Sequence, residues 1–407
     1  MSLLRIFTTS FLAEGVVIIV GFINSIIITR SLGVEGRGEY SLGMTIVTIL
    51  SLVFGDGLCR ANTYLTSKDK RNVPSLFGNL VVYNSVMAII LLAVGLLGYP
   101  LVRLLFPGLS HTLVFISFSV VPFLMAVRSI SAIFLGRQDY NRYNIFLALP
   151  FLIYLVANLL ILKFGVVTSA AVLLNYTWSI LIVLIAIVIQ FRKQEKGFAT
   201  NKQIARQSWD AGAKATVSHI SLFLLFRIDI ILINIFLGVG AAGLYSIAVL
   251  IAELLQKLAN TSGNVIFPKI TGDNQVKNRA LTLKVLTFVL SISILFSLSM
   301  MFFGRDLIIL LFKKDFSASA PALMWLLPGA VLMTGAKIIN IALWARGFPR
   351  ITVIAPLIAL AVNIILNILL IPKLGLPGSA MSTSISYAIY AAILAGSYFK
   401  PGGVKQV

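Results

Sequence analysis

A single cysteine and two histidines among 407 residues leave too little to build a disulfide or a Cys/His metal cluster. Charged residues make up only 11% of the chain, and just 13 residues are acidic. No soluble domain of this size is so poor in charge. Extramembrane mass is scarce too. The longest polar segment, about Arg192–Trp209, is too short to fold alone. There is no phosphate-cradling loop closed by Lys-Ser or Lys-Thr, so ATP hydrolysis by this chain is excluded. The Gly238-Val239-Gly240-Ala241-Ala242-Gly243 run fits a dinucleotide pattern only as a string. It has no strand before it and no acid about 20 residues on, so it reads as a tight turn between helices. The sequence implies no cofactor and no metal.

Apolar residues fill the space these absences leave. They account for 59% of the chain, with a mean hydropathy of +0.99. They fall in twelve stretches near 9–30, 40–62, 78–102, 112–135, 145–162, 170–191, 212–235, 243–265, 282–303, 318–345, 351–371 and 377–399. Each matches the roughly 20 residues that a bilayer-spanning helix needs, and lipid leaves helices as the natural reading of such stretches. The expected fold is therefore all-α and integral to a membrane. The first run is too long for a signal-peptide core and reads as an uncleaved span. The formal charge of +20 would suggest nucleic acid in a soluble protein, but here the bases sit between spans and act as topology signals. With the N-terminus inside, more than twice as many Lys and Arg fall in cytoplasmic segments as in outer ones, which predicts cytoplasmic termini. Lys202-Gln203-Ile204-Ala205-Arg206-Gln207-Ser208-Trp209 reads as an interfacial lead-in to the seventh span.

The second six stretches echo the first six. Leu32-Gly33-Val34 with Gly38, Tyr40 and Ser41 returns 205 positions later as Leu237-Gly238-Val239 with Gly243, Tyr245 and Ser246. Lys163, Gly165, Ser169 and Ala170 return as Lys373, Gly375, Ser379 and Ala380, and Pro122 and Pro328 fall in the fourth span of each half. Two six-helix bundles, 1–200 and 201–407, are expected. An even number of crossings gives them the same orientation, as in parallel-repeat transporters, with a substrate site at their interface.

Ionisable residues within spans are the candidate site, because a charge at mid-membrane costs ~2.5–3.5 kcal/mol without a partner or a wet cavity. Arg227, Arg128 and Lys337 are candidates for binding an anion, with Arg60 and Lys257 beside them. Asp229, Glu253, Glu14, Asp56 and His219 are candidates for a coupling ion or for structural pairing. Asp56 with Arg60 and Glu253 with Lys257 have the i, i+4 spacing of a helix-face ion pair. Asp229 cannot serve Arg227 fully, since residues two apart point to different faces of a helix. Under the 205 offset, Glu14 maps to His219 and Asn24 to Asp229.

The opening Arg30-Ser-Leu-Gly33-Val-Glu-Gly36-Arg-Gly38-Glu-Tyr40, the Ala345-Arg346-Gly347-Phe-Pro349-Arg350 turn and the run from Asn367 through Lys373 and Gly375 to Ala380 carry a resemblance. The chain resembles the multidrug/oligosaccharidyl-lipid/polysaccharide exporter superfamily and, within it, the Wzx-type polysaccharide-unit flippases. The resemblance covers the whole chain and implies a MATE-like pair of bundles with a central cavity lined by spans 1, 2, 7 and 8. It implies flipping of an undecaprenyl-pyrophosphate-linked oligosaccharide across the cytoplasmic membrane of a bacterium. Its partners would be that lipid-linked substrate, membrane lipids and polysaccharide polymerase machinery, with no nucleic acid. Two rivals stay open. A cation-drug antiporter shares this fold but would want an acidic cavity. A membrane-embedded polymerase or transferase would need catalytic groups on outer loops, where His111 is the one loop histidine.

Overall fold

The computed structural model describes residues 3–165, 167–194, 199–270, 275–347 and 349–400, which are almost wholly helical and include no strand among them. In chain order the α-helices are α1 (Leu3–Ser51), α2 (Gly57–Lys68), α3 (Val73–Leu97), α4 (Tyr99–Leu105), α5 (His111–Gly136), α6 (Tyr140–Phe164), α7 (Ser169–Gln194), α8 (Lys202–Leu237), α9 (Val239–Ile270), α10 (Gln275–Phe312), α11 (Ala320–Ala345), α12 (Ile351–Leu374) and α13 (Leu376–Phe399). Ten described segments are long and apolar enough to cross a membrane. The first of these, Leu12–Lys68, is 57 residues long and holds two arms broken at Gly33 (φ 69°, ψ −171°). Helix α13 adds 24 residues outside those ten. Large apolar side chains face outward along the spans, with Phe302 at 78% exposure, as lipid permits and water would not.

The chain divides into two compact units, Met1–Ile220 and Ser221–Val407. In the first, α5 is the most deeply buried span and packs on α1, α2, α3, α6 and α7. In the second, the span ending in α11 takes that place, against α9, α10 and α13. Both central helices carry an internal proline, Pro122 and Pro328. Beside Pro328 the Ser384 hydroxyl donates to the Trp325 carbonyl at 2.5 Å, and the Gly329 N–H donates back to Ser384 Oγ at 3.2 Å. A Cβ on Gly329 would lie 2.4 Å from Ser384 Cα, so glycine is what lets α11 and α13 touch. Elsewhere hydroxyls inside spans return to the carbonyl one turn back, as Thr29 does to Ser25 at 2.6 Å and Thr334 to Ala330 at 2.7 Å.

Several boundaries differ from those read off hydropathy. The expected 78–102 span ends at Leu97, and Gly98 sets off the separate short helix α4. The amphipathic lead-in and the seventh span are one continuous helix, α8. The glycine-rich turn shrinks to a single residue, Gly238 (φ 85°), with Gly240 and Gly243 already inside α9. Gly238 and its 205-offset mate Gly33 share a left-handed backbone that L side chains rarely adopt.

Candidate functional site

In unit 1 the second arm of α1 ends in a π-turn, Leu52–Asp56, before α2 continues. The extra residue of such a turn shifts backbone bonding and is often found at functional positions. Gly55 faces Met125 of α5, whose Cγ lies 2.9 Å from where a Cβ would sit. The Tyr83 hydroxyl of α3 donates to the Phe54 carbonyl at 2.8 Å. The turn delivers Asp56, which is 7% exposed, beneath two guanidinium groups. Arg60 Nε donates to its Oδ2 at 3.0 Å, and Arg128 Nη2 of α5 lies 3.6 Å from Oδ1. The carboxylate is covered while the two bases are 45% and 43% exposed. This cluster therefore presents a net positive face (two cations over one anion) formed by fork-shaped donors suited to phosphate. Cys59 sits alongside, its Sγ 3.6 Å from Ser129 Oγ.

In unit 2 the pairing is different. Glu253 of α9 is engaged by Arg227 of α8, with Nη1 at 2.9 Å and Nη2 at 3.3 Å from its two oxygens. This corrects the expected Glu253–Lys257 pair; Lys257 is exposed on α9. A bidentate guanidinium across helices outcompetes a flexible ammonium on the same face. Arg227 also lies 6.0 Å from the Phe223 ring, and Lys337 of α11 rests its ammonium 5.0 Å from the Phe226 centroid. The bases here meet π-faces and an acid of similar exposure, 29% for Arg227 and 25% for Glu253.

Asp229 serves a separate network, as its position two residues from Arg227 requires. It is 2% exposed; its Oδ2 accepts from Tyr245 Oη at 2.8 Å and Thr383 Oγ1 at 3.3 Å, and its Oδ1 from the Ile230 N–H at 2.8 Å. Asn363 donates to Thr383 Oγ1 at 3.3 Å, Asn367 donates to Asn363 Oδ1 at 2.9 Å, and Ser379 donates to Asn367 Oδ1 at 2.7 Å. Unit 1 has a neutral counterpart. Asn158 donates to Asn24 Oδ1 at 2.9 Å and Asn175 to Asn158 Oδ1 at 3.0 Å, with Tyr154 donating to Tyr40 at 3.2 Å. Sequence reasoning found Asn24 and Asp229 but missed Asn158, Asn175, Asn363 and Thr383. The signal available was an amide inside each apolar span, such as Asn363 and Asn367 one turn apart.

Glu14 lies half-buried on the first arm of α1, within electrostatic reach of Tyr143, which also feels Arg128 and Cys59. The His219 side chain lies outside the described residues.

Charged clusters set into multi-pass apolar helices define a polytopic membrane protein built like a transporter. The chain matches the polysaccharide biosynthesis protein family over residues 3–272 and belongs to it. It is 24% identical to the "Probable low-salt glycan biosynthesis flippase Agl15" of Haloferax volcanii, over 46% of this chain and 40% of that one. The curated relatives it matches are aligned over about two fifths of their own length. Among solved structures, the lipid II flippase MurJ in an inward closed conformation matches 97% of this chain and 87% of its own, with TM-score 0.79 and 16% identity. An inward-facing MATE multidrug transporter of the MOP superfamily matches 92% of each chain, with TM-score 0.72 and 14% identity. At these identities they establish a shared fold.

Proposed function

We propose that this protein flips a lipid-linked oligosaccharide, carried on undecaprenyl pyrophosphate, across the cytoplasmic membrane of a bacterium during surface-polysaccharide assembly. It does so by alternating access, as a transporter rather than an enzyme. The single observation that carries the reading is the pair of basic clusters held within apolar helices, Arg60 and Arg128 around Asp56 and Arg227 with Lys337 around Glu253. A sugar pyrophosphate is a bulky anion, and bases of this geometry set within apolar helices neutralise it. Membership of a polysaccharide biosynthesis family supports the same substrate class. The membrane potential supplies drive, worth ~2.3 kcal/mol per charge per 100 mV, and an anion leaving an interior-negative cell moves down it. Asp229 and Glu253, with Glu14 and Asp56, are the carboxylates through which flipping is coupled to a proton or sodium gradient.

Deletion of the gene should abolish the surface polymer, with restoration by the wild-type chain. Reporter fusions test the expected topology of twelve crossings: 68–71 and 192–206 should report inside, and 238–243 outside. The MATE-like fold favours one second reading, a cation-coupled drug antiporter. Export of cationic dyes with normal surface polymer in the deletion strain would overturn the flippase assignment in its favour.

A further inference from the structure

Glu253 stands between a base and a hole. On one side the Arg227 guanidinium holds both of its oxygens, at 2.9 and 3.3 Å, and neither side chain is sealed from outside. On the other side lies a cavity of about 10 Å³, bounded by Glu253, Asp229, Gln256, Thr383, Tyr387 and Phe226. That is room for about one water, or for an ion of that size, with several polar partners. The two acids of unit 2 therefore share one small polar space, and only one of them is committed to a base.

We infer that Glu253 is an exchangeable counter-ion: the anionic substrate displaces it from Arg227, and the freed carboxylate takes a monovalent cation, proton or sodium, in the space it shares with Asp229. The inference rests on the reading of Arg227 as an anion site. A guanidinium fork that already holds a carboxylate in two bonds cannot offer the same edge to a phosphate. A carboxylate stripped of its partner at membrane depth carries a cost of several kcal/mol, so its charge must be neutralised. Every charged or titratable group facing it enters the balance. From α8 these are Arg227 and Asp229, from α13 Tyr387, and from α11 Lys337, which feels both Glu253 and Lys257 electrostatically. Lys337 is occupied by the Phe226 ring, and Lys257 points outward from α9. Neither replaces Arg227 in its two-bond geometry. Anion and cation thus load together, each raising the affinity of the other by the same factor. In unit 1 the corresponding acid, Asp56, is covered and its two bases stand more exposed than it does.

The test is titration of the purified full chain in nanodiscs with inorganic pyrophosphate, by calorimetry in buffers of differing ionisation enthalpy, with and without sodium. Glu253→Gln should bind pyrophosphate about tenfold more tightly than wild type, equivalent to losing ~1.4 kcal/mol of competing pairing. Glu253→Asp, with a shorter reach, should fall between. If the cation is a proton, wild type takes up about one more proton per pyrophosphate than Glu253→Gln, a difference from which the probe's own titration cancels. If it is sodium, wild-type affinity rises with sodium and that of Glu253→Gln does not. Equal or weaker binding by both Glu253 variants, with binding lost in Arg227→Ala, overturns the counter-ion role and leaves the anion site standing. Binding by Arg227→Ala as strong as wild type, or no binding by any of these proteins, overturns the anion site and the exchange with it.

Discussion

The two units solve one problem, an acid and bases inside lipid-facing helices, in opposite ways. Unit 1 buries the acid and exposes the bases: Asp56 lies under Arg60 and Arg128 and leaves an excess of positive charge. Unit 2 sets Arg227 and Glu253 side by side in similar exposure, so that they cancel. The acids also stand at different places in their helices. Asp56 lies sixteen residues past Tyr40 and Glu253 eight past Tyr245, although the two tyrosines stand in similar motifs 205 positions apart. Eight helical residues correspond to about 12 Å. The polar networks reverse the asymmetry, with unit 1 placing neutral Asn24 where unit 2 places Asp229. The two units thus share glycines and tyrosines at a 205-residue offset and differ in where their charges stand. A static positive face has arisen in one unit and a neutral, exchangeable pair in the other.

Arg227→Ala should break this comparison most severely. It leaves Glu253 without its bidentate partner and should abolish surface polymer while the protein remains in the membrane; Lys at that position should restore only part. Arg128→Ala and Lys337→Ala should lower export less, since each cluster then retains a base. Full polymer from all three Ala proteins, measured alongside membrane protein levels, would return these bases to structural pairing. Next in size is Asp229→Asn, which gives unit 2 the neutral network of unit 1. Flipping in vesicles should respond less to imposed proton and sodium gradients, because Glu253 then takes the cation without a second acid beside it, while keeping its response to potential; an unchanged gradient response would leave Asp229 with no part in the coupling. Gly238→Ala and Gly33→Ala should each cost roughly 1–3 kcal/mol, because alanine must take a positive φ that L side chains rarely adopt. No neighbouring atom lies within 4 Å of either added Cβ, so each loss in melting temperature should come from the backbone and not from a clash. The smallest effect is expected at Asp69, outside the spans, where hydrogen bonds from Arg71 hold its carboxyl below the usual range. Any stability from that pair is present above the ordinary carboxylate pKa and fades as pH falls through the lowered one. In so exposed a pair, Asp69→Asn should leave the melting temperature unchanged.

The spans were legible because length and hydropathy alone decide what crosses a bilayer. The Asp56–Arg60 contact was legible for a similar reason, since i, i+4 spacing is set by the helix itself. Glu253 shows where that reasoning stops. Its local partner Lys257 lost to Arg227, 26 positions away, because α8 brings to it a fork that no spacing rule reports. The π-turn at Leu52–Asp56 was equally hidden, its stabilising groups Tyr83 and Met125 coming from α3 and α5. The Asp229 network drew Thr383 from 154 positions away. Local geometry could be read from the chain, and partner choice could not.

The single-residue breaks at Gly33 and Gly238 have a mechanical consequence. A loop of several residues absorbs motion, but a joint of one residue has only two soft torsions. The arms on either side of Gly33, and likewise α8 and α9 across Gly238, have no slack between them. Tilting one arm must either turn its neighbour or twist that glycine, and a left-handed glycine is the residue best able to twist without clash. Each hairpin therefore behaves as an elbow. In unit 2 the elbow joins the helix that carries Arg227 to the helix that carries Glu253, so a change in their pairing is converted directly into an angle.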